Sequence, residues 1–274
     1  MGALFGLLAS LSITSMEFFS RRISNEVGPI VAAAGASLVA AFATIAIAAI
    51  DGGDLIGQDL LLGAGSGLGF GLGLSTYLQG LRISSSAVIG PTVASLSALI
   101  PFGYAAITGD APPALGYLGA GLAVAGLILV TMGGSEASNV RGGLPVGIVS
   151  GMGYGFGTLL LINVTEESGS WPIASQRTAA FVAIAAFAVI RRRPVLPPAR
   201  FAPQAGAAGV IAAMASVFLL AGLAVNPAAT SVTATVYPAT SVAAGRAFFG
   251  DSVSRVQIVG LVVVIVGTIA IVLA

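Results

Sequence analysis

The sequence is dominated by long apolar stretches of about 20 residues, the length that a helix needs to cross the hydrocarbon core of a bilayer. Ten such stretches can be counted in the 274 residues. Hydrophobic residues make up 57% of the chain and charged residues only 8%, whereas soluble domains carry about 25% charged residues. The chain is therefore predicted to be a multi-pass protein of the cell (inner or plasma) membrane. The stretches lie at approximately 2–20, 28–50, 58–81, 85–107, 114–134, 143–163, 171–190, 204–224, 229–249 and 256–274.

The apolar stretches favour helices over the strands of a barrel. Barrel strands alternate apolar and polar residues over segments of about 10 residues, and the stretches here are continuously apolar over twice that length. The connections between them are short and leave no room for a soluble domain. The predicted fold class is an all-α polytopic membrane protein with ten transmembrane helices.

The two halves of the chain resemble each other weakly at a constant offset of 141 residues. The matched positions include Gly2 with Gly143, Gly65 with Gly206, Asp110 with Asp251, and Gly119 with Gly260. Five stretches per half force the two halves into opposite orientations, as in the inverted repeats of secondary transporters. The sequence thus predicts one five-helix repeat at 1–136 and a second at 141–274. The alternative is that glycine-rich apolar helices resemble one another without common descent.

Charge is sorted between alternate connections. Nine of the 11 arginines lie in the first, third, fifth, seventh and ninth connections, which are Arg21, Arg22, Arg82, Arg141, Arg191, Arg192, Arg193, Arg200 and Arg255. The other connections hold no arginine but hold Asp51, Asp54, Asp59, Asp110, Glu166 and Glu167. Because basic connections stay in the cytoplasm, both termini are expected outside.

This orientation predicts that a reporter fused after Ala274 scores as periplasmic or extracellular. The measurement is a paired fusion of reporters that are active on opposite sides of the membrane. A cytoplasmic signal from the fusion would overturn the orientation.

Glycine recurs at every second position of the third stretch, from Gly63 to Gly73. On a helix these residues form two rows on nearly opposite faces, one at 63, 67 and 71 and one at 65, 69 and 73. The pattern predicts close packing against a neighbour on each side. A surface that slides during transport is the alternative interpretation.

Three segments resemble the EamA-like family of the drug/metabolite transporter superfamily. They are VYPATSVAAGRAFFGDSVSRVQIVGLVVVIVGTIAIVLA at the end of the chain, SSAVIGPTVASLSALIPFGYAAITGDAPP in the first half, and GSWPIASQRTAA at the start of the seventh stretch. The chain departs from the family at Asp251, where glutamate is usual, and at Asp110, where Ala-Pro-Pro follows in place of a basic residue. The resemblance implies ten spans in two repeats and transport of small organic solutes, driven by an ion gradient or by exchange.

Ionisable groups inside apolar stretches are costly and are therefore candidates for function. Glu17 is a candidate for binding protons or a cationic substrate group, or it pairs with Arg21 one helical turn away. Arg177 is a candidate for binding a carboxylate or phosphate of the substrate, or its side chain extends back to the interface.

The fourth and ninth stretches combine prolines with hydroxyl side chains at corresponding positions of the two halves. We expect Pro91, Pro101 and Pro238 to interrupt these helices and to contribute to gating, because proline frees backbone carbonyls. The candidates for lining a midplane cavity are Ser95, Thr233 and Tyr237, with Tyr77, Gln79 and Tyr154 on the third and sixth stretches. The alternative is that the hydroxyls of serine and threonine bond to their own helix.

The chain contains no lysine, histidine or cysteine. Their absence argues against disulfides, histidine metal sites, a Walker A motif and a serine–histidine catalytic pair, so no enzyme, cofactor, metal or nucleic-acid partner is predicted. The predicted function is secondary active transport, with export favoured, of a small organic metabolite or drug-like solute. Its partners are the bilayer and a small-molecule substrate, with protons or an exchanged solute as the coupling species. Translocation of a lipid headgroup or lipid-linked sugar is the alternative, and a monomer and a homodimer both stay open.

Overall fold

A computed structural model describes residues 1–108, 113–133 and 139–274, and this part of the chain is helical throughout, without strands. Its α-helices are α1 Gly2–Val27, α2 Pro29–Asp51, α3 Gly57–Ile83, α4 Ser86–Thr108, α5 Ala114–Met132, α6 Val140–Leu161, α7 Trp171–Ile190, α8 Ala202–Val225, α9 Pro227–Ala234, α10 Tyr237–Phe249 and α11 Arg255–Val272. Short 3₁₀ turns lie at Glu166–Ser168 and Ala199–Phe201. Asp110 and the predicted end of the first repeat at residue 136 fall outside the described residues.

Eight helices of the described part are long and apolar enough to cross a membrane, by length and composition. They are α1, α2, α4, α5, α6, α7, α8 with the short turn before it, and α11. The third predicted stretch forms the 27-residue α3, and the ninth is divided between α9 and α10, with 8 and 13 residues. The all-α polytopic prediction is therefore confirmed, and the number of ten spans stays a prediction.

The first helix extends beyond its apolar stretch, because α1 continues through the polar residues that follow position 20 and ends at Val27. Gly28 then turns the chain with a φ of 101°, which favours glycine, and Pro29 begins α2. Arg21 and Arg22 consequently lie on the helix and not in a loop.

The alternate connections meet at opposite ends of the bundle. At one end, Asn139 donates to the carbonyl of Ile83 (2.8 Å), and Ser254 donates to that of Gly133 (2.6 Å). Arg200 also pairs there with Glu26 at 3.2 Å. We call this the arginine end, since these contacts join the connections that hold the arginines. The other is the acidic end.

At the acidic end, the α2–α3 connection and the helix residues that flank it are bonded to the α6–α7 connection. Asp59 accepts hydrogen bonds from the backbone and the hydroxyl of Thr165 (3.1 and 2.6 Å) and from the hydroxyl of Ser168 (2.6 Å). Ser170 donates to Asp51 at 2.7 Å. Buried carboxylates are stable only when hydrogen bonds satisfy them, and Asp59 is 2% exposed. These contacts hold the two connections together.

The glycines of α3 pack against two helices, one on each side. Gly63, Gly67 and Gly71 contact α7, whereas Gly65, Gly69 and Gly73 contact α6. The approach is close enough that a Cβ on Gly153 of α6 would lie 2.7 Å from the carbonyl oxygen of Gly69 and 2.9 Å from the backbone nitrogen of Gly73. The predicted packing on both faces of this helix is confirmed.

Two other helix pairs also pack closely at glycine residues. In the α5–α11 pair, a Cβ on Gly119 would lie 2.6 Å from the carbonyl oxygen of Gly267. In the α4–α6 pair, Gly151 of α6 lies against Leu96. Small residues allow backbones in lipid to approach and gain van der Waals contact. A cluster of buried side chains fills the space between α1, α2, α3, α4, α7 and α8, including Ile23, Leu78, Ile89 and Ile184.

The prolines behave differently in the two halves. Pro91 and Pro101 lie inside the continuous helix α4, so the expectation that they interrupt it is wrong. A membrane helix tolerates proline where neighbouring groups satisfy the freed carbonyls. Pro238 follows a break at residues 235 and 236 and stands in the first turn of α10, so the interruption of the ninth stretch is confirmed.

Substitution of Gly153 by alanine is expected to destabilise the protein by about 1–3 kcal/mol, as overpacking typically does, because the new Cβ meets backbone atoms of α3. Gly121→Ala is the matched control, since no atom lies within 4 Å of a Cβ placed there. The measurement is the thermal unfolding midpoint in detergent. Equal midpoints for the two variants would contradict the packing described for α3 and α6.

Candidate functional site

A row of polar side chains runs along one stripe of α1 at positions 14, 17 and 21, the spacing that places residues on one face of a helix. Each contacts α10 or the α10–α11 connection, in the pairs Thr14–Thr240, Glu17–Ser241 and Arg21–Asp251. We call these six residues the polar seam. It joins the first helix of the chain to a segment more than 220 positions away.

Glu17 lies at the centre of the polar seam and is 6% exposed. The hydroxyl of Ser241 donates to its carboxyl at 2.6 Å. The hydroxyl of Tyr77 also bonds to Glu17 and lies 3.3 Å from the Ser241 oxygen. Three helices, α1, α3 and α10, thus meet at one buried carboxyl.

Arg21 pairs with Asp251 and does not form the expected helical pair with Glu17. Two guanidinium nitrogens donate to the two carboxylate oxygens at 2.7 and 2.9 Å, which is bidentate geometry. The side chains are 8% and 6% exposed. The guanidinium carbon also lies 4.4 Å from the ring centre of Phe249, a cation–π contact.

Asp251 also receives a hydrogen bond from the backbone of α4, since the N–H of Ser86 donates to it at 2.9 Å. Burial on its own raises the pKa of this carboxyl, but the hydrogen bonds from Arg21 and Ser86 outweigh burial, so the pKa lies below its ordinary value. The carboxylate is therefore ionised at neutral pH and binds α1 and α4 together.

Arg177 lies in α7, where its guanidinium donates to the hydroxyl of Ser216 at 3.3 Å. It also lies 5.7 Å from the ring centre of Phe70. Within the described ranges, no carboxylate oxygen lies within 4.0 Å of its nitrogens, and its Nε has no hydrogen-bond partner. The membrane part of the protein thus holds a guanidinium without an acidic partner from the described residues.

Two tyrosines connect Arg177 to Glu17. Tyr154 packs edge to face on Phe70 with ring centres 5.0 Å apart, and it is close enough to interact electrostatically with both Arg177 and Glu17. Tyr237, at the start of α10, interacts electrostatically with Glu17 and with Tyr154. The structure therefore brings together Glu17, Arg177, Tyr77, Tyr154 and Tyr237.

Three other predicted residues do not contact this group. Gln79 follows Tyr77 by two positions, which rotates its side chain by about 200° around α3. Thr233 donates to the carbonyls of Ala229 and Thr230 on its own helix, as the alternative interpretation proposed. Ser95 is fully buried in α4, where its hydroxyl has no hydrogen-bond partner among the described atoms.

A surface cavity lies toward each end of the bundle. The cavity at the acidic end has a volume of about 650 Å³ and is lined by α4, α6, α11 and Pro113, including Ser97 and Thr158. Ser97 also bonds to Tyr237. The cavity at the arginine end has a volume of about 240 Å³ and is lined by residues that include Arg21, Arg82 and Asp251.

Sequence reasoning missed the partners of the polar seam. The spacing of positions 14, 17 and 21 was a usable signal for the stripe on α1, because it repeats at helical intervals. The pairing of Arg21 with Asp251 had no local signal, since 230 positions separate the two residues. Ser216 and Phe70, the neighbours of Arg177, likewise come from other helices.

Long apolar helices that enclose charged and phenolic side chains define a multi-pass membrane protein with a polar interior. Residues 1–132 match the model of the EamA-like transporter family. This match relates residues 1–132 to the EamA-like family, and so to the drug/metabolite transporter superfamily, as the resemblance of its segments indicated. The family match implies a membrane transporter of the drug/metabolite type.

A solved crystal structure supports the fold. It covers 98% of this chain and 96% of its own, with a TM-score of 0.64 and 16% sequence identity. At that identity the likeness concerns the fold alone. No curated protein matches the chain.

The lowered pKa of Asp251 predicts how stability changes in acid. The ion pair contributes fully above the pKa of an unfolded aspartate, about 3.9, and its contribution is lost as the pH falls through the lower pKa of the folded protein. Asp251→Asn is therefore expected to flatten the acid side of the profile of unfolding midpoint against pH. The measurement is thermal unfolding in detergent between about pH 7 and pH 3.

The control is Asp54→Asn, which removes a carboxylate from an exposed position. It should keep the slope of the original protein. A slope that is unchanged in Asp251→Asn would show that the pair does not titrate as described.

Proposed function

We propose that the protein is a secondary active transporter, working as an exporter, of a small organic metabolite or drug-like solute in the cell membrane. In this proposal ten spans form two inverted five-helix repeats, at 1–136 and 141–274, and the substrate binds between them. The observation that carries the proposal is Glu17, a buried carboxyl bonded by helices from both halves of the chain. Transport sites between inverted repeats have this placement.

Glu17 is proposed as the coupling residue. A carboxyl in a membrane interior is costly when charged, so it binds a proton or a cationic group readily when the group is accessible. Its bonds to Ser241 and Tyr77 come from α10 and α3. A change in its charge therefore alters contacts between helices, which is what coupling requires.

Arg177 is proposed to bind an anionic group of the substrate, a carboxylate or a phosphate. Its guanidinium has a free donor at Nε and no acidic partner in the part of the chain that is described. The planar fork of arginine suits bidentate binding of such groups. Tyr154 and Tyr237 are proposed to line the path between Arg177 and Glu17.

The break before α10 is proposed as a flexible point of the path. The helix stops after Ala234, restarts at Tyr237 and carries Pro238 in its first turn. Broken helices expose backbone groups that line cavities in many transporters. Pro91 and Pro101 are proposed to weaken α4 at the corresponding place in the first half, and Ser95, Gln79 and Thr233 stay as candidate lining residues.

The proton-coupling role predicts that Glu17→Gln abolishes flux driven by a pH gradient, because an amide cannot bind and release a proton. The measurement is solute flux in proteoliposomes with and without the gradient. Glu26→Gln is the matched control, since Glu26 lies on the same helix but is exposed at its end. Gradient-driven flux that persists in Glu17→Gln would refute this role.

The role of Arg177 predicts a different defect. Arg177→Lys keeps the charge but loses the bidentate fork, and it is expected to raise the KM for an anionic substrate by about tenfold, the cost of about 1.4 kcal/mol of binding. Arg200→Lys at the exposed pair is the control. An unchanged KM in Arg177→Lys would argue against substrate contact.

A further inference from the structure

We propose that the Arg21–Asp251 pair is a latch that keeps the arginine end of the transport path closed, and that its opening is the step that exposes Glu17 to that side. This proposal rests on the proposed transport function. It assigns a positioning role to two residues that are not in the substrate site. Three elements meet at the latch, namely α1, α4 and the α10–α11 connection.

The latch covers the inner part of the polar seam. Arg21 follows Glu17 by four residues on α1, a rise of about 6 Å, and both residues face α10 or the connection after it. The cavity at the arginine end is lined by Arg21 and Asp251 themselves, so the pair forms part of its wall. A solute entering from this end meets the ion pair before it meets Glu17.

Several contacts at the latch join α1, α4 and the α10–α11 connection to one another. Asp251 binds the two guanidinium nitrogens and the N–H of Ser86, so one carboxylate connects α1 to α4. Ser85, the residue before α4, donates to the carbonyl of Ser252 at 2.9 Å, a second bond to the same connection. Gly245 of α10 packs against Ser86 and Asp251. Separation of these helices therefore requires release of Asp251.

The sequence encodes an ion pair of this kind at the arginine end but not at the matched positions of the other half. At the offset of 141 residues, Asp251 matches Asp110, but the position that matches Arg21 is Ile162, which cannot pair with a carboxylate. Ser97 lies in the wall of the surface cavity at the acidic end, whereas Arg21 and Asp251 line the cavity at the arginine end. The arginine end thus holds a buried ion pair for which the matched positions of the first half encode no equivalent.

The test uses cysteine accessibility, which gives a clean signal because the chain has no cysteine of its own. Ser241→Cys places a thiol on the polar seam, behind the latch, at a residue that is 4% exposed. Ser97→Cys places one in the cavity at the acidic end. Labelling rates are measured with a membrane-impermeant maleimide added to vesicles of known orientation, from the side of Arg191–Arg193 for Ser241→Cys and from the opposite side for Ser97→Cys.

Removal of the latch by Arg21→Ala or Asp251→Ala is expected to speed labelling of Ser241→Cys by about tenfold or more, if the state open at the arginine end starts at about 10% or less. Labelling of Ser97→Cys should slow in the same backgrounds, because the two openings are alternatives. Arg21→Lys, which keeps the charge but loses the bidentate fork, should give an intermediate rate. Arg200→Ala, which breaks the exposed pair with Glu26 at the same end, should change neither rate.

Unchanged labelling of Ser241→Cys in both alanine variants would overturn the latch. Faster labelling of both reporters together would also overturn it, because loss of folding opens both sides. The same shift in Arg200→Ala would show that any ion pair at this end acts alike, which equally rejects the proposal. The assay needs no substrate, so these outcomes reject the latch alone, whereas absence of solute flux in proteoliposomes rejects the proposed transport function.

Discussion

The fold depends on close approach between helix backbones. Lipid tails are as apolar as the side chains they surround, so burial of apolar surface gives helices no reason to associate in a membrane, and packing has to supply it. Glycine provides that packing at α3, where one row of glycines meets α7 and the opposite row meets α6. The same contact joins α5 to α11. Helices held this way interlock backbone to backbone, so they form the rigid part of the molecule.

The polar seam has the opposite character. Its side chains meet through hydrogen bonds and one ion pair. A bond between polar groups in a membrane can be exchanged for a bond to water, a proton or a solute when the site opens. Close packing between two helix backbones cannot be exchanged for a contact with water or a solute in this way. The chain therefore separates its rigid contacts from its exchangeable ones, and the charged residues of the membrane interior belong to the second group.

Local patterns in the sequence predicted the features that depend on local chemistry. Apolar length predicted the helices, glycine spacing predicted both packing faces of α3, and Pro238 marked the break before α10. The expectation that the prolines of α4 break the helix was wrong, because a membrane helix can continue through proline when neighbouring groups satisfy the freed carbonyls. Glu17 and Arg177 were found from the cost of burying charge, but their partners could not be, since Ser241 and Ser216 arrive from other helices. A pair of Arg21 with Glu17 on its own helix was one of two interpretations of the sequence, whereas the folded chain offers Arg21 a bidentate acceptor in Asp251.

The hydrogen bonds of Asp59 constrain how the helices can move when the latch opens. Its three hydrogen bonds fasten the first turn of α3 to the α6–α7 connection at the acidic end, while the latch lies at the other end of the bundle on α1, α4 and the α10–α11 connection. Because α3 also packs on α6 and α7 through its two rows of glycines, these helices form one unit, and opening of the latch would turn that unit about its fastened acidic end. The 27 residues of α3 make a lever of about 40 Å. A rotation of about 10° at this pivot would move the far end by about 7 Å, more than one helical turn.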